Sequence, residues 1–386
     1  LGVSDAKIAF WTSLIMLPWT LKPLWSPLLE MYRTKKFFVV LTQMVSGVTF
    51  GLIALSLHLP SFFAITIALF AIVAFSGATH DVACDGVYMD ELNAQEQAKY
   101  IGWQGAFYNV AKIIGTGLLV YLAGFLKDEY EGPAEDAVLY SWTVIMIVLG
   151  GVMFALGLYH TRMLPSGKHA HSVTSFSQSM AELWNVIRNF FTKKHIVYYI
   201  CFIILYRFAE GFVMKIVPLF LKAGRDVGGL GLTEQEIGIY YGTFGAAAFV
   251  LGSLLGGYYI SARGLKKTLF SLCCVFNLPF MAYTLLAIFQ PPLIGGAIVL
   301  EYFGYGFGFV GLTLFMMQQV AAGPHQMAHY AFASGIMNLG VMLPGMMSGY
   351  VSDWLGYKLF FIFVLVAAIP AFLMTWFVPF THEDKK

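Results

Sequence analysis

Charge is scarce in this chain: Asp, Glu, Lys and Arg together make up 11% of its 386 residues, where a soluble domain carries about a quarter. Cysteine is scarcer still. Cys84, Cys201, Cys273 and Cys274 stand without the paired spacing of a metal site or disulfide framework, and read as small core residues. No GK[ST] phosphate loop occurs, and the glycine run FGYGFGFVG (303–311) has no strand before it, which argues against an ATP-driven pump. The formal net charge of +2 points to no nucleic-acid partner. No separate signal peptide is expected.

What is abundant is apolar surface, at 59% of residues. A bilayer core about 30 Å thick requires roughly 20 apolar residues per helix. Such runs occur at 6–28, 36–58, 62–90, 98–125, 138–162, 196–221, 234–260, 266–290, 293–318, 327–352 and 357–380, eleven in all. Runs such as ITIALFAIVAF are apolar on every face, unlike the alternating strands of a β-barrel. The expected class is an all-α polytopic membrane protein.

An internal repeat organises the chain. LGVSDAKIAF (1–10) returns in outline as LGLTEQEIGI (230–239). At about the same offset Ala98, Tyr100 and Gly105 align with Ala328, Tyr330 and Gly335. The helix at 196–221 precedes the second copy and has no counterpart before the first, so a twelve-helix protein is expected, with its first helix missing here. The expected domains are an N-terminal bundle at 1–162, a linker at 163–195 and a C-terminal bundle at 196–386.

Basic residues set the orientation. Arg33, Lys35, Lys36, Lys99, Arg162, Lys168, Arg188, Lys193, Lys194, Arg263, Lys266, Lys267, Lys385 and Lys386 fall on one side, against Lys7, Lys127, Lys222, Arg225 and Lys358 on the other. That bias puts the visible N-terminus outside and the C-terminus in the cytoplasm. Within the linker, Phe176, Met180, Leu183, Trp184, Ile187, Phe190 and Phe191 recur at helical spacing behind a Ser175/Gln178 capping pair. They predict an amphipathic helix on the inner membrane surface.

Two six-helix halves, each with a basic loop after its second helix, resemble the major facilitator superfamily. GSLLGGYYISARGLKK (252–267) is similar to that superfamily's loop signature through Gly252, Gly256, Arg263, Lys266 and Lys267. SPLLEMYRTKK keeps Glu30 and Arg33 but has Pro27 and Leu28 where glycines are usual. Within the superfamily, LPWTLKPLWSPLLEMY (17–32) together with HDVACDG (80–86) resembles the AmpG-like muropeptide permeases and, distantly, the acetyl-CoA transporters; His80 stands where the family usually has Gln. The resemblance implies an inner-membrane, proton-coupled importer of an anionic amphiphile such as an anhydro-muropeptide. A sugar acid, peptide or acyl-CoA solute, or a non-transporting sensor, stands as the alternative. A small-molecule substrate, a proton and the bilayer are the expected partners, with no cofactor, no metal and a monomeric state.

Eight charges fall inside the predicted helices: Lys22, Lys112, Arg207 and Lys215 against Asp81, Asp85, Glu210 and Glu301. Each is by default a pathway or coupling candidate, since an unpaired charge in a membrane helix is costly. Asp81 and Asp85 share one helix face. Depth along straight helices brings Lys22 to Asp85 and Lys112 to Asp81, either as a static ion-pair gate or with one aspartate carrying the coupling proton. Arg207 and Glu210, three apart, can pair, and Lys215 lies level with Glu301. By the resemblance these are the seventh and tenth helices, which line the central cavity. Glu210 is then the leading proton carrier, and Arg207 or Lys215 suits a substrate carboxylate. Tyr302 and Tyr305, with Phe303 and Phe307, can stack on a sugar ring; Asn109 and Asn338 can bond its hydroxyls. His325 and His329 have a metal-compatible spacing but no carboxylate nearby in sequence, and read as an ordinary helix start. An integral-membrane enzyme would have only His80, Asp81 and Asp85 to work with, and the twofold repeat speaks against it.

Overall fold

In a computed structural model the described residues are 11, 15, 17–166, 176–232, 234–291 and 295–382, and those in regular structure are helical throughout. The first copy of the repeat (1–10), Lys7, Lys168, the Ser175 cap, Lys385 and Lys386 lie outside them. Sixteen α-helices follow in order: α1 (Leu17–Leu21), α2 (Ser26–Met31), α3 (Lys35–Ser56), α4 (Phe62–Glu91), α5 (Ala94–Ile113), α6 (Leu119–Asp128), α7 (Ala134–Met163), α8 (Phe176–Phe191), α9 (Ile196–Tyr206), α10 (Phe208–Lys222), α11 (Glu234–Ile237), α12 (Gly245–Arg263), α13 (Leu265–Asn277), α14 (Phe280–Phe289), α15 (Gly295–Phe315) and α16 (Gln326–Trp376). Each apolar run from 36–58 onward coincides with one helix or a consecutive pair. Gly356, at φ 67°, breaks α16 between the last two predicted spans. Among the described residues, seven helical segments are long and apolar enough to cross a membrane.

The described residues group into two compact units. One holds those up to Glu91, Val110–Ile187 and His325–Ala331; the other holds Leu92–Asn109, Arg188–Pro324 and those from Phe332 onward. In the first unit, helices are joined by small and hydroxylic residues, as expected where lipid supplies no hydrophobic drive for helix association. A Cβ on Gly47 would stand 3.0 Å from the Gly150 carbonyl, so α3 and α7 cross closely there. The Ser46 hydroxyl donates to Ser76 at 2.9 Å, and Ser76 donates to the Thr42 carbonyl at 2.8 Å, tying α3 to α4.

The second unit is built on glycine. In the run 303–311, a Cβ on Gly306 would meet the Phe249 carbonyl at 2.2 Å, and one on Gly304 the Val275 carbonyl at 2.3 Å. Alternate glycines of α15 therefore admit α12 on one side and α13 on the other. Gly252 of the loop signature answers from α12, where a Cβ would lie 2.2 Å from the Phe303 carbonyl. Around these helices Phe212, Phe220, Tyr283, Phe360 and Phe361 form a fully enclosed aromatic core.

α8 forms as predicted from the linker pattern. It buries Val186 and Phe190 completely and leaves Trp184 and Phe191 exposed. Beyond it, Lys193 Nζ donates to the carbonyls of Val320 and Ala322 at 2.7 and 2.8 Å, closing the end of the α15 span. A basic residue at a helix C-terminus is the favourable charge there.

Candidate functional site

In the first unit the two motifs that carry the AmpG-like resemblance meet. Prolines 18, 23 and 27 break the chain into α1, a 3₁₀ turn (Lys22–Leu24) and α2. That broken segment lies along α4 through three contacts. Trp19 covers Gly77, where a Cβ would stand 3.0 Å from its ring; Trp25 Nε1 donates to Thr79 Oγ1 at 3.1 Å; and Lys22 Nζ donates to Asp81 Oδ2 at 2.6 Å. The expected Lys22–Asp85 contact is thus replaced by Lys22–Asp81, one turn earlier on α4. The reason is local: the chain breaks into a 3₁₀ turn at Lys22–Leu24, so the straight helix on which the depth match relied does not exist there. The lysine side chain is 7% exposed and the aspartate 46%. Asp85 is buried, Lys112 is exposed in the last turn of α5, and Cys84 Sγ lies 3.6 Å from the His80 ring.

Two ion contacts in this unit were not legible in the sequence. Lys35 Nζ donates to Asp90 at 2.5 Å, both standing near helix ends. Glu30 Oε1 accepts from the Ala328 amide at 3.0 Å, placing a carboxylate at the start of α16, where the helix dipole favours it. His325 lies between Glu30 (3.4 Å) and Glu182 (3.6 Å), and His329 contacts the Val186 carbonyl at 3.1 Å. The carboxylates missing near these histidines in sequence arrive from distant segments. Arg33, at φ 60°, lies 5.7 Å from the Phe37 ring.

In the second unit the span expected at 196–221 breaks at Arg207, whose φ of −106° and ψ of 4° separate α9 from α10. At 1.5 Å per residue the break lies roughly 16 Å from the start of α9, about half the hydrocarbon thickness. Arg207 Nε and Nη2 both donate at 2.6 Å to the two oxygens of Glu210, a bidentate pair with side chains 8% and 2% exposed. The guanidinium lies 5.0 Å from the Phe309 ring and 6.0 Å from that of Tyr305, whose hydroxyl is 3.5 Å from Nη2. Tyr206, beside the break, donates to the Gly308 carbonyl at 2.9 Å.

Glu301, one turn before Tyr305 on α15, is buried and accepts from the Tyr283 hydroxyl at 3.2 Å. Lys215 does not reach it. Five residues beyond Glu210, Lys215 is rotated about 140° around the helix. It is exposed, its stem 3.6 Å from the position of a Cβ on Gly345, and it has no ion-pair partner among the described residues. Tyr302 packs beside Gly245, and Phe303 stacks on Phe307 at 5.8 Å. Asn109 donates to the Gly105 carbonyl of its own helix, whereas Asn338 is exposed. Gly256 packs on the Phe307 carbonyl, Arg263 covers Tyr259 at 5.2 Å, and Lys266 and Lys267 are exposed.

Comparison with known proteins fits this geometry. The chain is 23% identical over 96% of its length to the anhydromuropeptide permease of Escherichia coli K12, covering 72% of that protein. It is 21% identical over 94% of its length to the putative transporter AmpG 4 of Rickettsia conorii, covering 86% of it. An uncharacterized protein of Haemophilus influenzae is 24% identical, with 96% and 86% of the two chains covered. Among solved structures, the Escherichia coli fucose:proton symporter FucP superposes with a TM-score of 0.70 at 14% identity over 96% of this chain and 92% of that one. A likeness at that identity concerns the fold. The family profile described as Major Facilitator Superfamily matches residues 1–331, and with that match this multi-pass membrane protein belongs to the Major Facilitator Superfamily of transporters.

Proposed function

We propose that the protein is a proton-coupled importer of the inner membrane, acting as a monomer on an anionic amphiphilic solute of the anhydro-muropeptide kind, with its C-terminus cytoplasmic. The observation that carries this reading is the Arg207–Glu210 pair, buried at a helix break near the middle of the span expected at 196–221 and walled by Tyr305 and Phe309. Discontinuous helices are where transporters place binding groups for substrate and coupling ion. The support for the solute class is the permease relative; the cationic site and the aromatic ring faces beside it suit an acidic, sugar-bearing molecule.

The chemistry follows from competition for one guanidinium. While Glu210 is ionised, both its oxygens hold Arg207. A proton taken onto a Glu210 oxygen removes the charge that pairs with Arg207, and the guanidinium turns its two parallel N–H donors to a substrate carboxylate. Loss of the proton on the other side restores the internal pair and expels the substrate carboxylate. Proton and solute thereby bias the same conformational equilibrium. Lys215 serves as a second cation for the solute, and Glu301, held by Tyr283, as a second carboxylate.

Transport in proteoliposomes tests this. Glu210→Gln is expected to keep solute exchange, because the neutral amide resembles the protonated acid, and to lose accumulation driven by a pH gradient. Accumulation at the wild-type level in that variant would move the coupling site to Asp81.

A further inference from the structure

A pocket lies in the second unit, at the end of α12 where the apolar span gives way to the Arg263–Lys267 turn. It has a volume of about 810 Å³, and its polar lining is Gln95, Ser261, Arg263, Lys267 and Gln318. Arg263 and Lys267 have no ion-pair partner among the described residues; Arg263 is steadied only by the Tyr259 ring at 5.2 Å. The walls are pinned by hydrogen bonds that leave these cations uncommitted. Ser261 donates to the Gln95 carbonyl at 3.2 Å, and Gln318 Nε2 donates to the Ala94 carbonyl at 3.0 Å. The pocket also holds the start of α13. The chain enters that helix through Gly264 at φ 84°, with no side-chain cap on its first amides. Ala98, Ile260 and Leu265 supply an apolar wall.

From this geometry we infer that the pocket binds a phosphate-bearing anion at the membrane boundary. The planar guanidinium of Arg263 matches two phosphate oxygens, and Lys267 adds a point charge. Uncapped amides at a helix start accept the same anion. Basic pockets between membrane helices at this depth take anionic phospholipid headgroups, and the apolar wall suits the glycerol end of such a lipid. A free phosphoanion has the same headgroup chemistry without that wall contact. The role is separate from the Arg207 site, so neither reading depends on the other.

Thermal unfolding of the purified full-length chain in detergent tests the inference, with phosphatidylglycerol, phosphatidylcholine or inorganic phosphate added. The site variant is Arg263→Gln with Lys267→Gln. The control, Lys36→Gln with Lys194→Gln, removes the same charge elsewhere. Phosphatidylglycerol is expected to raise the Tm of wild type and control by several degrees, with phosphatidylcholine giving a smaller shift, and the site variant should lose at least half of the rise. If inorganic phosphate alone reproduces that protection and the site variant loses it, the phosphate site stands with a soluble source. Equal shifts in all three proteins, or equal shifts from phosphatidylglycerol and phosphatidylcholine, overturn it.

Discussion

The two units each hold an ion pair where a helix is interrupted, and the pairs are built differently. Lys22 meets Asp81 through one contact, with the aspartate nearly half exposed. Arg207 grips Glu210 through two contacts, with both side chains buried. An exposed carboxylate keeps much of its hydration, so its partner contributes little. A buried carboxylate depends on its partner altogether, since neither charge has water to return to. Where pairs differ this way, removing a partner charge changes the local free energy most at the buried one. Under the proposed mechanism, that contrast is the reason for placing the proton switch at Glu210 rather than Asp81.

The largest expected effect follows directly. Arg207→Met leaves Glu210 buried without a partner and should destabilise the protein by about 3–5 kcal/mol, while Arg207→Met with Glu210→Met should recover most of that loss. Unfolding in mixed micelles reads both. Equal losses in the single and double variants would show that water already reaches Glu210, and the contrast between the units would dissolve.

A smaller effect separates how the units are packed. Gly306→Ala drives a methyl to 2.2 Å from the Phe249 carbonyl, an overpacking expected to cost about 1–3 kcal/mol. Gly47→Ala in the first unit meets its nearest atoms at 3.0 Å and should cost less. Gly51, with nothing within 4 Å of the added methyl, should gain stability by up to about 1 kcal/mol from helix propensity. The same unfolding measurement ranks the three, and a milder effect at Gly306 than at Gly47 would show that α15 can give way.

The spans were legible because each is a largely apolar run of about the length a bilayer demands, even where it carries a charge such as Lys112 or Glu301. The Arg207–Glu210 pair was legible because i, i+3 neighbours share a helix face whatever the tertiary structure. Partner choice across helices was not. Matching Lys215 with Glu301 used depth and ignored rotation, and a charge on the wrong side of a helix cannot pair at any depth. Matching Lys22 with Asp85 assumed a straight helix through Pro23, where the chain makes a 3₁₀ turn. Glu30, Glu182 and His325 come from three distant parts of the chain, and no local pattern joins them. The glycine run in α15 was visible in composition, with glycine at alternate positions of 303–309, but the helices it admits were not.

The smallest effect is the sharpest test of the comparison. If the hydration of the half-exposed Asp81 outweighs the burial of Lys22, the coupling energy of the pair belongs with surface ion pairs, about 0.2–1 kcal/mol. A double-mutant cycle isolates that energy: Lys22→Met, Asp81→Asn and the two together, each read by unfolding in mixed micelles. A parallel cycle with Asp85→Asn should give a smaller coupling, because the 2.6 Å contact of Lys22 is with Asp81. Two results would break the argument. A Lys22–Asp81 coupling above about 3 kcal/mol would place this pair in the buried class, making the first unit as strong a candidate for the proton switch as the second. A larger coupling to Asp85 would mean that Lys22 changes partners in solution, and the pair would then act as the moving gate.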